Sequence, residues 1–290
     1  MSIQLIPSNE LTSWWPLNTV DKAGDYQIAG STLHDLQLAM VPADVRLTQF
    51  DNAWISHSDW LALLESGQDA VLESADAEVL AWTGDSAERP VGALIVVASA
   101  NSFRIRFPWQ LIAVNEQIVV TLDRDVIEGE VHPQAVIEGH ITLGKGSRIL
   151  PGVFIEGNVV IGENCKIGPN CYLRGSTTIG DNCHIGQAVE IKNSLIGNKT
   201  AVGHLSYIGD SVLGHGVNLG AGTITSNLRH DGKNHRSIVD ENLIDTGRRK
   251  FGAIIGDGTH TGIHTAIYPG RKLAANTTTR PNETVQKDIQ

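Results

Sequence analysis

Five residues have the types and spacing to do chemistry together: Arg174, Glu190, Lys192, His204 and Tyr207. Arg174 and Lys192 stand eighteen residues apart, and Glu190 and Tyr207 seventeen. These intervals matter because an aliphatic residue recurs every six positions here: Ile137, Leu143, Ile149, Ile155, Ile161, Ile167, Leu173, Ile179, Ile185 and Ile191. Three such steps make one coil, so Arg174 and Lys192 stack with backbones about 4.8 Å apart. Two cations that close repel. Either a phosphate neutralises them or both are solvated surface charges. The repeat shortens by one before Ile196, which leaves Ile191 and Ile208 one coil apart and stacks Glu190 with Tyr207. His204, three residues before Tyr207, falls on the neighbouring corner. A carboxylate, an imidazole, a phenol and two cations on one edge suit proton transfer from an anionic substrate. A lone surface histidine is the plainer reading of His204.

The elements that must position these residues follow from the same period. Six does not fit a helix of 3.6 residues per turn. It fits a short strand ended by a corner, with the aliphatic residue and a small or β-branched residue four positions later pointing inward. The slots after the aliphatics, Gly144, Gly162, Gly168, Gly180 and Gly186, are expected to serve the turns. A fixed short period means a solenoid. The pattern resembles the hexapeptide repeat of left-handed parallel β-helices, so the expected fold is mainly β, a left-handed parallel β-helix preceded by a small α/β domain. Cys165, Cys171 and Cys183 occupy the small inward slot, which reads as core packing and not as a metal site.

The 290 residues carry a formal net charge of -10, with 41% hydrophobic and 19% charged residues. That excludes a general nucleic-acid binder. No basic-then-apolar leader opens the sequence and no long apolar run interrupts it, which predicts a cytoplasmic protein. All six tryptophans precede residue 110, and only five of the thirty glycines precede Gly129. The boundary is therefore expected near 125–130, between a mixed α/β domain over 1–125 and the β-helix over 126–290. In the first domain the pattern predicts helices over 32–40 and 58–65, the second capped by Ser58. It predicts a buried strand over 91–98, a strand over 102–107 and a solvated acidic loop or edge over 69–78.

Three motifs carry a family resemblance: Val189-Glu-Ile-Lys192, Gly203-His-Leu-Ser-Tyr-Ile-Gly-Asp210 and Val217-Asn-Leu-Gly-Ala-Gly-Thr-Ile-Thr-Ser-Asn227. In order and spacing they closely resemble the acetyltransferase half of the GlmU family, over about 131–228 and again over about 253–285. Members of that family are bifunctional glucosamine-1-phosphate N-acetyltransferases and UDP-N-acetylglucosamine pyrophosphorylases. The resemblance implies an acetyl-CoA-dependent N-acetyltransferase acting on glucosamine-1-phosphate or galactosamine-1-phosphate, with no metal needed. It makes His204 the general base, supported by Glu190, and makes the Ala221 amide the oxyanion donor beside coenzyme A. Arg174 and Lys192 would hold the sugar phosphate, and Tyr207, Asn218 and Asn227 would position the sugar. Lys233 falls where the family has a substrate-contacting lysine. The resemblance also implies a homotrimer with active sites between chains.

Residues 229–252 break the ladder and resemble the archaeal and some bacterial GlmU-like branch, where a Gly-Arg-Arg-Lys stretch precedes the returning coils. Arg248, Arg249 and Lys250 are candidate contacts for coenzyme A phosphates or the sugar phosphate, or else a solvated basic loop, and Arg271, Lys272 and Arg280 are candidates for the coenzyme A phosphates. Ile263 and Pro281 replace a family serine and alanine at that site. The stretch from Ser13 to Thr19, then Gly30-Ser-Thr-Leu33, resembles the opening of sugar nucleotidyltransferases. The Gly-rich loop and the Pro-Lys pair of that family are missing, which makes nucleotidyl transfer unexpected. Residues 1–125 are then a reduced relative of that domain or a cap over the first coil. The competing functions are a non-catalytic trimeric sugar-phosphate-binding or scaffold protein and a zinc hydrase built on His184, His204 and His215.

Overall fold

The computed structural model describes residues 2–8, 14–17, 22–42, 45–67 and 69–290. Ser13, Asn18 and Thr19 of the nucleotidyltransferase-like stretch lie outside them. The chain forms two compact units. One comprises 1–12, 20–27 and 31–106, the other 13–19, 28–30 and 107–290.

The first unit is a five-stranded mixed sheet with two helices. Strands β1 (Ser2–Ile6), β2 (Arg46–Phe50), β3 (Ala70–Glu73), β4 (Val79–Thr83) and β5 (Leu94–Val97) lie in the order β1-β2-β4-β3-β5. Helix α1 (Leu33–Leu38) starts at Thr32, whose side chain accepts from the Asp35 amide. Helix α2 (His57–Glu65) is capped by Ser56 and not by Ser58, since the Ser56 hydroxyl accepts from the Asp59 amide. Trp60 and Leu63 of α2 pack into a core with Leu47, Leu72 and Leu80. Two expectations for this unit are corrected. The segment over 69–78 holds a strand with Ala70, Val71 and Leu72 fully buried. The aliphatic run over 91–98 forms β5 at the sheet edge, with Leu94 and Val97 mostly in solvent. Hydrophobicity gave β5 its conformation, but only one neighbour, β3, covers it.

The second unit is the expected left-handed hexapeptide β-helix. Its three parallel sheets hold eight, six and eight strands. They are called faces 1, 2 and 3 in the order in which Val126–Ile127, Glu130–Val131 and Val136–Glu138 begin them. On face 3 the inward ladder runs Ile137, Ile155, Leu173, Ile191, Ile208 in register. These aliphatics, together with the three free cysteines, fill one continuous core. Helix α3 (Gln110–Val119) belongs to this unit, and Asn115 fixes it. Its amide donates to Ser176 O at 2.7 Å and accepts from the Thr178 hydroxyl at 2.6 Å. Among the described residues no helix is long and apolar enough to cross a membrane.

Among the repeat glycines Gly168 has the left-handed backbone expected of a turn, at φ 99°, and the others act differently. Gly144, Gly162, Gly180 and Gly186 do not have left-handed backbones; Gly146, Asn164, Asn182 and Ala188, each two residues on, do. The glycines are instead required by contact between coils. A Cβ on Gly144 would lie 2.7 Å from the Gly162 carbonyl.

The ladder breaks after Thr225 for a hairpin, Arg236–Val239 paired with Asn242–Asp245, and resumes at Ala253–Ile255. The hairpin region is pinned by Phe251, fully buried against Trp109 and His235.

Candidate active site

Face 3 carries the cluster. Its outward residues form two columns beside the aliphatic ladder. One runs Phe154, Tyr172, Glu190, Tyr207, Ile224, and the other runs Glu156, Arg174, Lys192, Gly209. The stacking of Arg174 with Lys192 and of Glu190 with Tyr207 is therefore as the spacing implies.

Each cation has a carboxylate of its own. Arg174 donates from Nε and Nη2 to Glu190 Oε1 at 2.8 and 2.7 Å, with both side chains about one-third exposed. Lys192 Nζ lies 3.0 and 2.9 Å from the two oxygens of Asp210, whose side chain is 2% exposed. The repulsion between stacked cations thus does not by itself require a phosphate. Attraction within each pair already offsets it.

Asp210 is the residue that the sequence reading missed. Asn193, Asp210 and Asn227 are each seventeen apart, so the arithmetic that aligned Glu190 with Tyr207 aligns them too. Asp210 accepts from Asn193 Nδ2 at 3.0 Å and from Asn227 Nδ2 at 2.6 Å. Asn227 also donates to the Tyr207 hydroxyl at 2.9 Å. Burial first, then the charges of Asp210 and Glu190, hold the Tyr207 phenol above its ordinary pKa. It stays protonated at neutral pH and can donate to an anion.

His204 ends the strand Ala201–His204 on face 2, at the corner before Tyr207. Its backbone is fixed, because its carbonyl accepts from the Gly222 amide at 3.0 Å and from the Ser206 hydroxyl at 2.8 Å. Its ring is exposed and makes no hydrogen bond among the described residues. Glu190 is committed to Arg174 and does not orient it. Ala221 lies on the same corner one coil on, second in the turn closed by Thr223 N to Gly220 O at 3.1 Å. Its amide takes no part in the backbone ladder. Asn218 is exposed on face 2, aligned with Ala201 and His260. His204 and Ala221 thus line the edge where face 2 turns into face 3, whereas Asn218 stands at the start of its face 2 strand, level with Ala201. His184 lies on face 2 in the Ala201–Asn218 column, His215 Nδ1 accepts from the Asn198 amide at 3.0 Å, and among the described residues no three metal-binding side chains gather.

The remaining basic candidates are scattered. Arg248 holds Glu116 of α3, with Nη2 2.5 Å from Oε1, and Glu116 also accepts from Asn193 Nδ2 at 2.7 Å. Lys272 is 4% exposed, donates to Ile238 O and stands 4.8 Å from the Trp15 ring centroid. It is too enclosed to meet a coenzyme A phosphate. Arg271 Nη1 lies 3.6 Å from Asp288. Arg249, Lys250 and Arg280 are exposed. Lys233 lines a polar cavity of about 730 Å³ with Arg229, Asp231 and Arg236. Ile263, where the family has serine, is half-exposed, and Pro281 occupies the other departed position.

Two further features had no motif to announce them. An apolar groove of about 560 Å³, lined by Ile224, Leu228, Ala266, Tyr268 and Pro269, continues the Tyr207 column. His235 is 2% exposed and its Nε2 lies 3.1 Å from the Asn227 carbonyl, which ties the hairpin region to the cluster.

Comparison with known proteins agrees with the motifs. The family model described as the GMPPB C-terminal domain matches residues 155–268. The bifunctional protein GlmU of Methanococcus aeolicus is 41% identical over 183 residues, 63% of this chain and 44% of that protein. The bifunctional sugar-1-phosphate nucleotidylyltransferase/acetyltransferase of Sulfurisphaera tokodaii is 40% identical over 182 residues, 63% of this chain and 45% of that one. The chain thus spans less than half the length of these two relatives. A solved UDP-N-acetylglucosamine acyltransferase is 15% identical, covering 57% of this chain and 66% of that one. Its TM-score of 0.23 is too low to support any comparison of site or function. The chain is similar to GlmU-like bifunctional proteins, as its motifs between Val189 and Asn227 imply.

Proposed function

We propose that this chain is an acyltransferase that moves acetyl from acetyl-CoA to the amine of an amino-sugar 1-phosphate, glucosamine-1-phosphate or galactosamine-1-phosphate. One observation carries the reading. In a chain 40–41% identical to GlmU-like proteins, the cations Arg174 and Lys192 and the Tyr207–Asn227 pair share face 3, and His204 and Ala221 occupy the adjoining corner.

In this reading the phosphate enters between Arg174 and Lys192, and the Tyr207 hydroxyl and Asn218 orient the sugar. The amine attacks the thioester carbonyl carbon while His204 takes its proton. The carbonyl oxygen gains charge and the Ala221 amide donates to it. The C–S bond then breaks, the coenzyme A thiol leaves with a proton, and the amide product remains. No acyl-enzyme is needed. That suits the cysteines, which are buried, with burial pushing the Cys171 thiol up to about 12. Among the basic candidates, exposed Arg249, Lys250 and Arg280 are the ones free to meet coenzyme A phosphates. A bare His204 ring and the exposed Leu205 and Ile263 on the same corner favour a homotrimer in which a neighbouring chain completes the site. Cytoplasmic location, and a reduced nucleotidyltransferase-like or capping role for residues 1–125, belong to the same reading.

A second reading has an observation of its own. Both cations already hold internal carboxylates, as a non-catalytic trimeric sugar-phosphate binder or scaffold would tolerate. Thiol release from acetyl-CoA separates the two. The enzyme reading expects release with glucosamine-1-phosphate or galactosamine-1-phosphate and little with glucosamine lacking the phosphate. Thermal stabilisation by the sugar phosphates without any thiol release would select the binder.

A further inference from the structure

We infer that Asp210 is the positioning residue of this site, holding Lys192 in place for the phosphate and joining it to the Tyr207–Asn227 pair. The inference rests on the amino-sugar-phosphate reading and adds to it a residue that touches no substrate atom.

The geometry sets Asp210 apart from the other carboxylates on face 3. It is buried, and four donor contacts converge on it: two from Lys192 Nζ, one from Asn193 and one from Asn227. Its backbone is fixed on both sides. Its amide donates to Lys192 O at 2.8 Å, and its carbonyl accepts from the Gly252 amide at 2.8 Å. Its φ of 50° lies in the left-handed region that aspartate tolerates. Asn193, likewise at φ 49°, bridges Asp210 to Glu116, which Arg248 holds from the far end of the hairpin segment.

This divides the labour between the two ion pairs. Glu190 is one-third exposed and can swing off Arg174 when a phosphate arrives. Asp210 has no such freedom, because leaving Lys192 would strand a buried carboxylate. Lys192 therefore keeps its place, with two N–H groups on Asp210 and the third free for a phosphate oxygen. Asn227 transmits the same anchor to the Tyr207 hydroxyl.

A double-mutant cycle on the full-length chain tests this by thiol release with varied glucosamine-1-phosphate. Asp210→Asn keeps the shape and removes the charge. The expected result is a KM raised about tenfold or more with kcat changed less than about threefold, a separation that general loosening does not give. Lys192→Met should act similarly. The double variant should be no worse than the poorer single, because both changes break one link. Asp210→Asn leaving KM within twofold, or effects of the two changes that multiply, would overturn the inference. Should Asp210→Asn not fold, Asn193→Gly suits the left-handed backbone and removes one donor from Asp210. A KM raised about threefold or more supports the inference, and an unchanged KM sinks it. If the wild type releases no thiol, the transferase reading has failed by itself. Calorimetric titration with glucosamine-1-phosphate then reads the anchoring directly: weaker binding by Asp210→Asn supports it, equal binding or none by the wild type contradicts it.

Discussion

Ile191→Ala should damage the site from beneath. Ile191 is fully buried in the inward ladder between Leu173 and Ile208, and it separates Glu190 from Lys192 in one strand. The change removes three carbons, a transfer loss of about 2.4 kcal/mol at about 0.8 kcal/mol each. The cavity adds to that, because rungs held by backbone ladders on both sides collapse only partly, giving a total of about 3–4 kcal/mol. Ile155→Ala is the matched control, two coils lower in the same ladder and equally buried. In a solenoid each coil touches its neighbours alone, so the two variants should lose similar stability by denaturant titration followed with far-UV circular dichroism. They should differ in glucosamine-1-phosphate binding, which Ile191→Ala weakens about tenfold or more and Ile155→Ala spares. A cost below about 1 kcal/mol for Ile191→Ala, or equal binding losses in both, would refute the reasoning.

Two further outcomes follow from the same structure. Burial depresses the His235 imidazole below its ordinary pKa. Its stabilisation is therefore full above the unfolded value of roughly 6.5 and is lost as pH falls toward the folded one. Thermal melts of the wild type should drop through that window more steeply than those of His235→Gln, and parallel curves would contradict it. A Cβ on Gly186 would lie 2.7 Å from the Gly203 carbonyl carbon and closer still to its oxygen, whereas one on Gly203 meets nothing within 4 Å. Gly186→Ala should cost about 1–3 kcal/mol or more and Gly203→Ala within about 0.5 kcal/mol, and equal costs would disprove the close-approach account.

The solenoid was legible because each coil repeats one local rule, so period arithmetic alone aligned Arg174 with Lys192 and Glu190 with Tyr207. The same arithmetic reached Asp210, but the residue sat inside a motif valued for His204 and Tyr207, and its burial could not be seen. That Glu190 faces Arg174 and not His204 depends on side-chain torsions, which no spacing encodes. The first unit was less legible because its sheet is built from distant pairs. Val71 lies in register with both Trp82 and Ile95, and neither partner is announced near it. Leu94 and Val97 made a strand by composition, yet their exposure was decided by what failed to cover them. The α2 pattern pointed to Ser58 as the cap, but the helix begins a residue earlier, at His57, and Ser56 accepts from the Asp59 amide.

The central claim is that the imidazole at the corner of faces 2 and 3 takes the proton from a phosphate-anchored amine. It is tested most directly by kcat/KM for thiol release with glucosamine-1-phosphate or galactosamine-1-phosphate, whichever the wild type prefers, in wild type and His204→Ala. The exposed ring contributes nothing to the core, so the variant should fold normally and lose roughly 10²–10⁴ in rate. A folded His204→Ala variant that matches the wild-type rate would contradict the account.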